Sequence, residues 1–234
     1  MVSLYLLLIW PGQRAPAAVS FFVGIPASLV TTVLVYLFQA PDFEIAGIPE
    51  PAEGRLPGSR PDVTTARWVH VSVRNSSRGL LGGGTAAGVS AVLWYHGLGE
   101  YSTKWAELPN PLDILTIETR EGPRLAFVPN LLQMDSCKRI TIEAGESKDL
   151  DIAVKFDGDP NCYIAVPENF RYSDLRNPLA RLLPGTHTFE LQINYRGNKT
   201  SLGEFRLHNG SSESSRDLYL SRVRGMPTNR SARR

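Results

Sequence analysis

Cysteine is scarce: Cys137 and Cys162 are the only two in 234 residues. That excludes a disulfide scaffold and any CxxC metal pair. The four histidines, His70, His96, His187 and His208, have no metal-ligand spacing. No GxSxG nucleophile elbow occurs. "GLLGGGT" at 79–85 lacks the GK[ST] ending of a phosphate loop and reads as a flexible connection. Basic and acidic residues nearly balance, 25 against 23, so the net charge of +2 gives no ground for expecting a nucleic-acid partner. After residue 65 no apolar pattern of helical period appears, which argues against a helical bundle.

Charge is also missing from one long run. Residues 17–40, "AAVSFFVGIPASLVTTVLVYLFQA", hold 24 residues without a charged side chain. A bilayer core takes about 20 apolar residues in a helix, so the run predicts a single transmembrane helix. It is too long for a secretory h-region and lacks a small-x-small cleavage site at its exit. It also lacks the polar stripe of a soluble core helix.

Before it, in 1–16, "LYLLLIW" at 4–10 is apolar but too short to span. It reads as an interfacial anchor or as the end of a truncated first span. Arg14 on one side and Arg55 and Arg60 on the other nearly tie under the positive-inside rule, with the balance toward an extracytoplasmic domain.

Residues 41–65 contain five prolines and three glycines and predict an extended stalk. The period then switches to two. Val69, Val71 and Val73 share one face of 67–75, opposite Trp68, His70, Ser72 and Arg74. In 148–156, Leu150, Ile152, Val154 and Phe156 oppose Asp149, Asp151 and Lys155. In 187–195, Phe189, Leu191, Ile193 and Tyr195 oppose Glu190, Gln192 and Asn194. The run 88–96 is apolar on both faces, and 139–145 and 203–209 add shorter runs. About seven strands in 66–220 predict an antiparallel β-sandwich. A turn is expected over 196–203, and long loops over 97–138 and 157–186. An Arg-rich tail, 221–234, follows as a disordered segment.

"VHVSVRNSS" at 69–77 followed by "AAGVSAVLWYHG" at 86–97 resembles the opening strands of immunoglobulin-like adhesion-type domains. "IEAGESKDLDIAVKFDG" at 142–158 and "LLPGTHTFELQINYRG" at 182–197 resemble their later strands. In the Trp105-Ala106 segment, the "AGES" turn at 144–147 and the "FRLHN" ending at 205–209, the chain is similar over roughly residues 20–220 to prokaryotic membrane-anchored proteins with one such CARDB-like domain. The resemblance implies an Ig-like sandwich behind one membrane helix. It brings no catalytic motif.

"DGDPNCYIAVPE" at 157–168 sets Asp157, Asp159, Asn161 and Glu168 at positions 1, 3, 5 and 12 of an EF-hand-type calcium loop. Cys162 stands where the turn needs glycine, and no helices flank the segment, so a solvated turn is the competing reading. Cys137 and Cys162 could bridge the two long loops in an oxidising compartment, and would be reduced and packed in the cytosol. Trp94, in the most apolar strand, is expected in the core. Tyr101, Trp105, Asn161 and Tyr172 lie on the long loops and form the expected binding surface.

Together these features predict a non-enzymatic, membrane-anchored binding or adhesion-type module displayed at the cell surface. Its expected partners are the lipid bilayer, through 17–40, and a protein or glycan. No cofactor is expected. One alternative is an accessory or scaffolding subunit of a membrane complex with its sandwich in the cytosol, using small residues Gly24, Ala27 and Ser28 for helix approach. The other is an enzyme with a loop-borne site.

Overall fold

A computed structural model describes residues 29–30, 41–55, 65–76, 84–120, 122–172 and 174–223. The expected transmembrane run falls outside them except for Leu29 and Val30, which are helical and exposed. Among the described residues no helix is long and apolar enough to cross a membrane. The segment 4–10, most of the glycine-rich connection and residues 224–234 of the tail also lie outside.

The rest is mainly β. The strands are β1 (Phe43–Gly47), β2 (Ala52–Arg55), β3 (Thr65–Asn75), β4 (Ala86–Tyr95), β5 (Gly99–Ser102), β6 (Leu112–Thr119) and β7 (Gly122–Pro129). They continue as β8 (Arg139–Ile142), β9 (Ser147–Phe156), β10 (Cys162–Ile164), β11 (Arg181–Leu182), β12 (Gly185–Tyr195), β13 (Asn198–Asn209) and β14 (Leu218–Arg222). One antiparallel sheet runs β1-β3-β9-β10-β11, with β2 also on β3. The second runs β14-β13-β12-β4-β5, with β8 also on β4. Both sheets feed one core. Val69, Val71, Leu150 and Ile164 from the first meet Leu93, Phe189, Leu191 and Phe205 from the second, all in one buried cluster. This is the layering of a β-sandwich.

Several expectations change. The stalk is not free: β1 and β2, within 41–55, pair with β3. The loop 97–138 contains β5 and the hairpin β6–β7, and 157–186 contains β10 and β11. The expected turn at 196–203 shrinks to Arg196 and Gly197, both at positive φ, with Tyr195 paired directly to Asn198. Two consecutive positive-φ residues make the tight turn whose twist suits a hairpin. The β6–β7 hairpin belongs to neither large sheet. It exposes Leu115 and Val128, and the turn after it exposes Leu131 and Leu132.

The largest correction concerns β9. Val69 pairs with Ala153 and the next residue, His70, with Asp151, leaving Ile152 as an extra residue in the strand. Such a bulge reverses the inward–outward alternation beyond it. Leu150, Ile152 and Ala153 therefore lie in the main core, whereas Val154 and Phe156 join a second cluster with Ala66 and Tyr163. Lys155, expected on the polar face, is fully buried.

Candidate functional site

The bulge and the two loops build a cleft of about 450 Å³ against the sheet that carries β3 and β9. Its floor is polar. His70 follows the alternation of β3 onto the face opposite Val69 and Val71. Asp151, its cross-strand partner, precedes the bulge on β9. His70 Nδ1 stands 2.9 Å from Asp151 Oδ1, without hydrogen-bond alignment. Lys104 Nζ is 3.6 Å from Asp151 Oδ2 and donates to the Trp105 carbonyl at 3.0 Å. All three residues are buried. Two residues along on the same face, Ser72 pairs with Asp149, and its hydroxyl donates to Asp149 Oδ1.

Lys104 reaches this floor because 103–107 crosses between the sheets. The Thr103 amide donates to Ala91 O in one sheet, and the Asp151 amide donates to Lys104 O in the other. Trp105 anchors the crossing. It is fully buried and bridges to Leu150. Trp105 is thus a core residue and not part of a contact surface, because the chain must plug the gap where it changes sheets. Trp94 shows the reverse correction: alternation within β4 sends Leu93 and Tyr95 inward and leaves Trp94 40% exposed beside His96.

The walls come from three places. Pro49 and Glu50 link β1 to β2, Trp68 and Val154 rise from the sheet, and Phe170 and Leu175 close the far side. Asn169 sits in the short 3-10 turn Pro167–Arg171 and donates to Ile164 O at 2.8 Å. Its Oδ1 is buried and has no hydrogen-bond partner among the described residues.

The far wall is held by Asp159. Its Oδ1 accepts from the Asn161 amide at 2.9 Å and from Asn161 Nδ2 at 3.0 Å. Its Oδ2 accepts from Tyr163 at 2.9 Å and from Arg176 Nε at 3.0 Å. Arg176 also lies over the Phe156 ring, 4.9 Å from its centroid. Burial pushes the Asp159 carboxyl up, but bonds from Asn161 and Tyr163 and the nearby Arg176 outweigh it and hold the group below the ordinary carboxylate range. Burial and the bond to Asp159 push the Tyr163 phenol up.

The candidate calcium ligands of 157–168 have other partners in the structure. β10 begins at Cys162, so the chain straightens where the loop would wind around an ion. Asp157 caps the Ser215 amide at 2.8 Å, Asp159 faces Tyr163 and Arg176, and Glu168 accepts from Lys138 at 2.8 Å. Among the described residues no three His, Cys, Asp or Glu side chains come together to hold a metal. Asn161 is half-buried and turned toward Asp159, Tyr101 is half-buried and Tyr172 is exposed, so three of the four residues of the expected surface remain partly accessible. Tyr101 donates to Leu179 O at 3.3 Å.

Cys137 and Cys162 are both free and buried. Cys137 follows a turn and donates to Met134 O at 3.2 Å. Cys162 points from β10 into the main core, where burial pushes its thiol up to about 12.

Sequence reading missed Lys104, the buried Lys155 and the cleft itself. The outward face of "WVHVS" against "DLD" was the available signal for His70 and Asp151. Comparison of the chain with protein-family models, curated proteins and solved structures finds no match.

Proposed function

We propose that the protein is a membrane-anchored, non-enzymatic binding module with an immunoglobulin-like sandwich, and that its contact site is the cleft over β3 and β9. The cleft carries the reading: loop segments wall a preformed space of ligand size over a rigid sheet. Strand order supports the Ig-like part. Labelling β3, β4, β9, β12 and β13 as B, C, E, F and G gives a B–E pair in one sheet and C–F–G in the other. β10, β11 and β14 are additions to that plan. The membrane part rests on the uncharged run 17–40.

Two features favour binding over catalysis. His70 contacts a carboxylate, but no described hydroxyl or thiol is bonded to it. His208 does contact Ser221 Oγ at 3.1 Å, yet its other nitrogen faces Thr186 Oγ1 at 3.1 Å and not an orienting acid. A photo-crosslinking residue at Phe170 in intact cells, compared with one at Tyr219, tests the site. A discrete adduct from position 170 alone supports the reading. Adducts from neither position, with the protein present, overturn it.

The free, packed thiols favour a second reading, an accessory subunit whose sandwich faces the cytosol. A tag after Arg234 that protease removes from intact cells excludes this alternative. Protection until lysis excludes surface display.

A further inference from the structure

We propose that the cleft receives a cationic side chain of a partner protein: a primary ammonium or guanidinium on an aliphatic stem. This rests on the reading of the domain as a binding module and adds the chemistry of what it binds.

Charge in the cleft is unevenly matched. Lys104 is committed to Asp151, 3.6 Å away, and to the Trp105 carbonyl. Asp151 in turn has His70 against its other oxygen. That compensates the buried floor. Glu50 and Asp149, which also line the cleft, form no ion pair among the described residues. An arriving cation meets two unmatched carboxylates able to make charge-assisted hydrogen bonds. An arriving anion meets repulsion, because the one ammonium is already engaged.

The uncharged lining points the same way. Trp68 and Phe170 offer aromatic rings, which attract cations to their faces. Val154 and Leu175 supply apolar surface for a methylene stem. Asn169, 3% exposed, lines the cleft with its Oδ1 unpartnered. With the Asn169 side chain turned toward the cleft, that acceptor favours an N–H-bearing ligand over one that brings only acceptors. The volume, about 450 Å³, exceeds one side chain and leaves room for flanking peptide.

The test titrates the full chain with capped tripeptides Gly-X-Gly, where X is lysine, arginine, norleucine or glutamate. The readout is the Trp68 indole resonance, assigned with Trp68→Phe. The lysine or arginine peptide is expected to shift it. Affinity is expected to fall about tenfold in Glu50→Gln, whose exposed side chain makes no hydrogen bond or ion pair among the described residues, and in Asp149→Asn. Added salt should weaken binding in the same direction. Equal binding of the norleucine peptide, or preference for glutamate, overturns the cationic ligand and leaves the cleft a binding site. No shift with any peptide, in protein with native thermal unfolding, overturns both.

Discussion

Replacing Lys155 with methionine should destabilise the protein by about 3 kcal/mol, near the lower end of what breaking a buried ion pair costs. Lys155 is fully buried, and its ammonium donates to Gly210 O at 2.9 Å, Ser212 O at 2.9 Å and Asp217 Oδ1 at 2.6 Å. It ties β9 to the connection between β13 and β14. Methionine matches the stem but leaves three acceptors without their donor. The Asp217 side chain is 27% exposed, so water restores part of its solvation, which keeps the figure from the upper end.

For a chain this long, about 3 kcal/mol lowers Tm by roughly 6–12 °C. Urea titration should show the midpoint falling with m unchanged. Acid dependence gives a second readout. Burial pushes the Asp217 carboxyl up, but the bonds from Lys155 and Ser212 outweigh it and hold it low. A carboxyl lower in the folded than in the unfolded chain contributes fully above the unfolded value, about 3.9. That contribution is lost as pH falls through the folded value. Lys155→Met should therefore lose less stability than the wild type on acidification below about pH 4. Gly210→Ala supplies an independent route, because its Cβ would collide with the Asp217 carboxyl. A loss under about 1 kcal/mol for Lys155→Met, or identical acid slopes, would refute the argument that this ammonium clamps the loop.

Trp105→Ala should cost about 3–5 kcal/mol in urea unfolding, as a large side chain lost from a core; a change near zero would return Trp105 to the surface. Both thiols should resist a disulfide reagent in the native protein and react fully in denaturant, because burial raises both thiols. Finding no free thiol in denaturant would establish the bridge. Asp159→Ala should cost about 2–3 kcal/mol by removing the shared acceptor of Asn161, Tyr163 and Arg176. Millimolar calcium should leave the wild-type Tm unchanged; a calcium-dependent rise would restore the metal loop.

The strands that sequence made legible are those with one face in the main core throughout. Val69, Val71 and Val73 in β3, and Phe189, Leu191 and Ile193 in β12, alternate as expected and are buried. The additional strands were not legible, for physical reasons. β1 and β2 are short edge strands among prolines, and their pairing to β3 comes from backbone bonds that carry no apolar period. The two tryptophans exchanged places because a run apolar on both faces does not reveal which face is inside. Trp105 occupied a segment whose only mark was its polar neighbours, and two of those, Thr103 and Lys104, are buried with it.

The cleft depends on one residue that periodicity hides. In "LDIAVKF" the apolar positions Leu150, Ile152, Val154 and Phe156 alternate without a break, so nothing in the pattern marks Ile152 as extra. An unbroken alternation would place Val154 and Phe156 in the core and Lys155 in solvent. The second cluster would then lose two of its members, and Arg176 would have no ring to cover. The wall that Leu175 adds to the cleft would have no base. The bulge therefore does two jobs with one insertion: it buries Lys155 where the β13–β14 connection can satisfy it, and it turns an apolar patch outward to carry the loop over His70 and Asp151. Bulges re-aim side chains where a sheet carries a site, and here the re-aimed residues support the cleft while His70 and Asp151, just before the bulge, supply its polar floor.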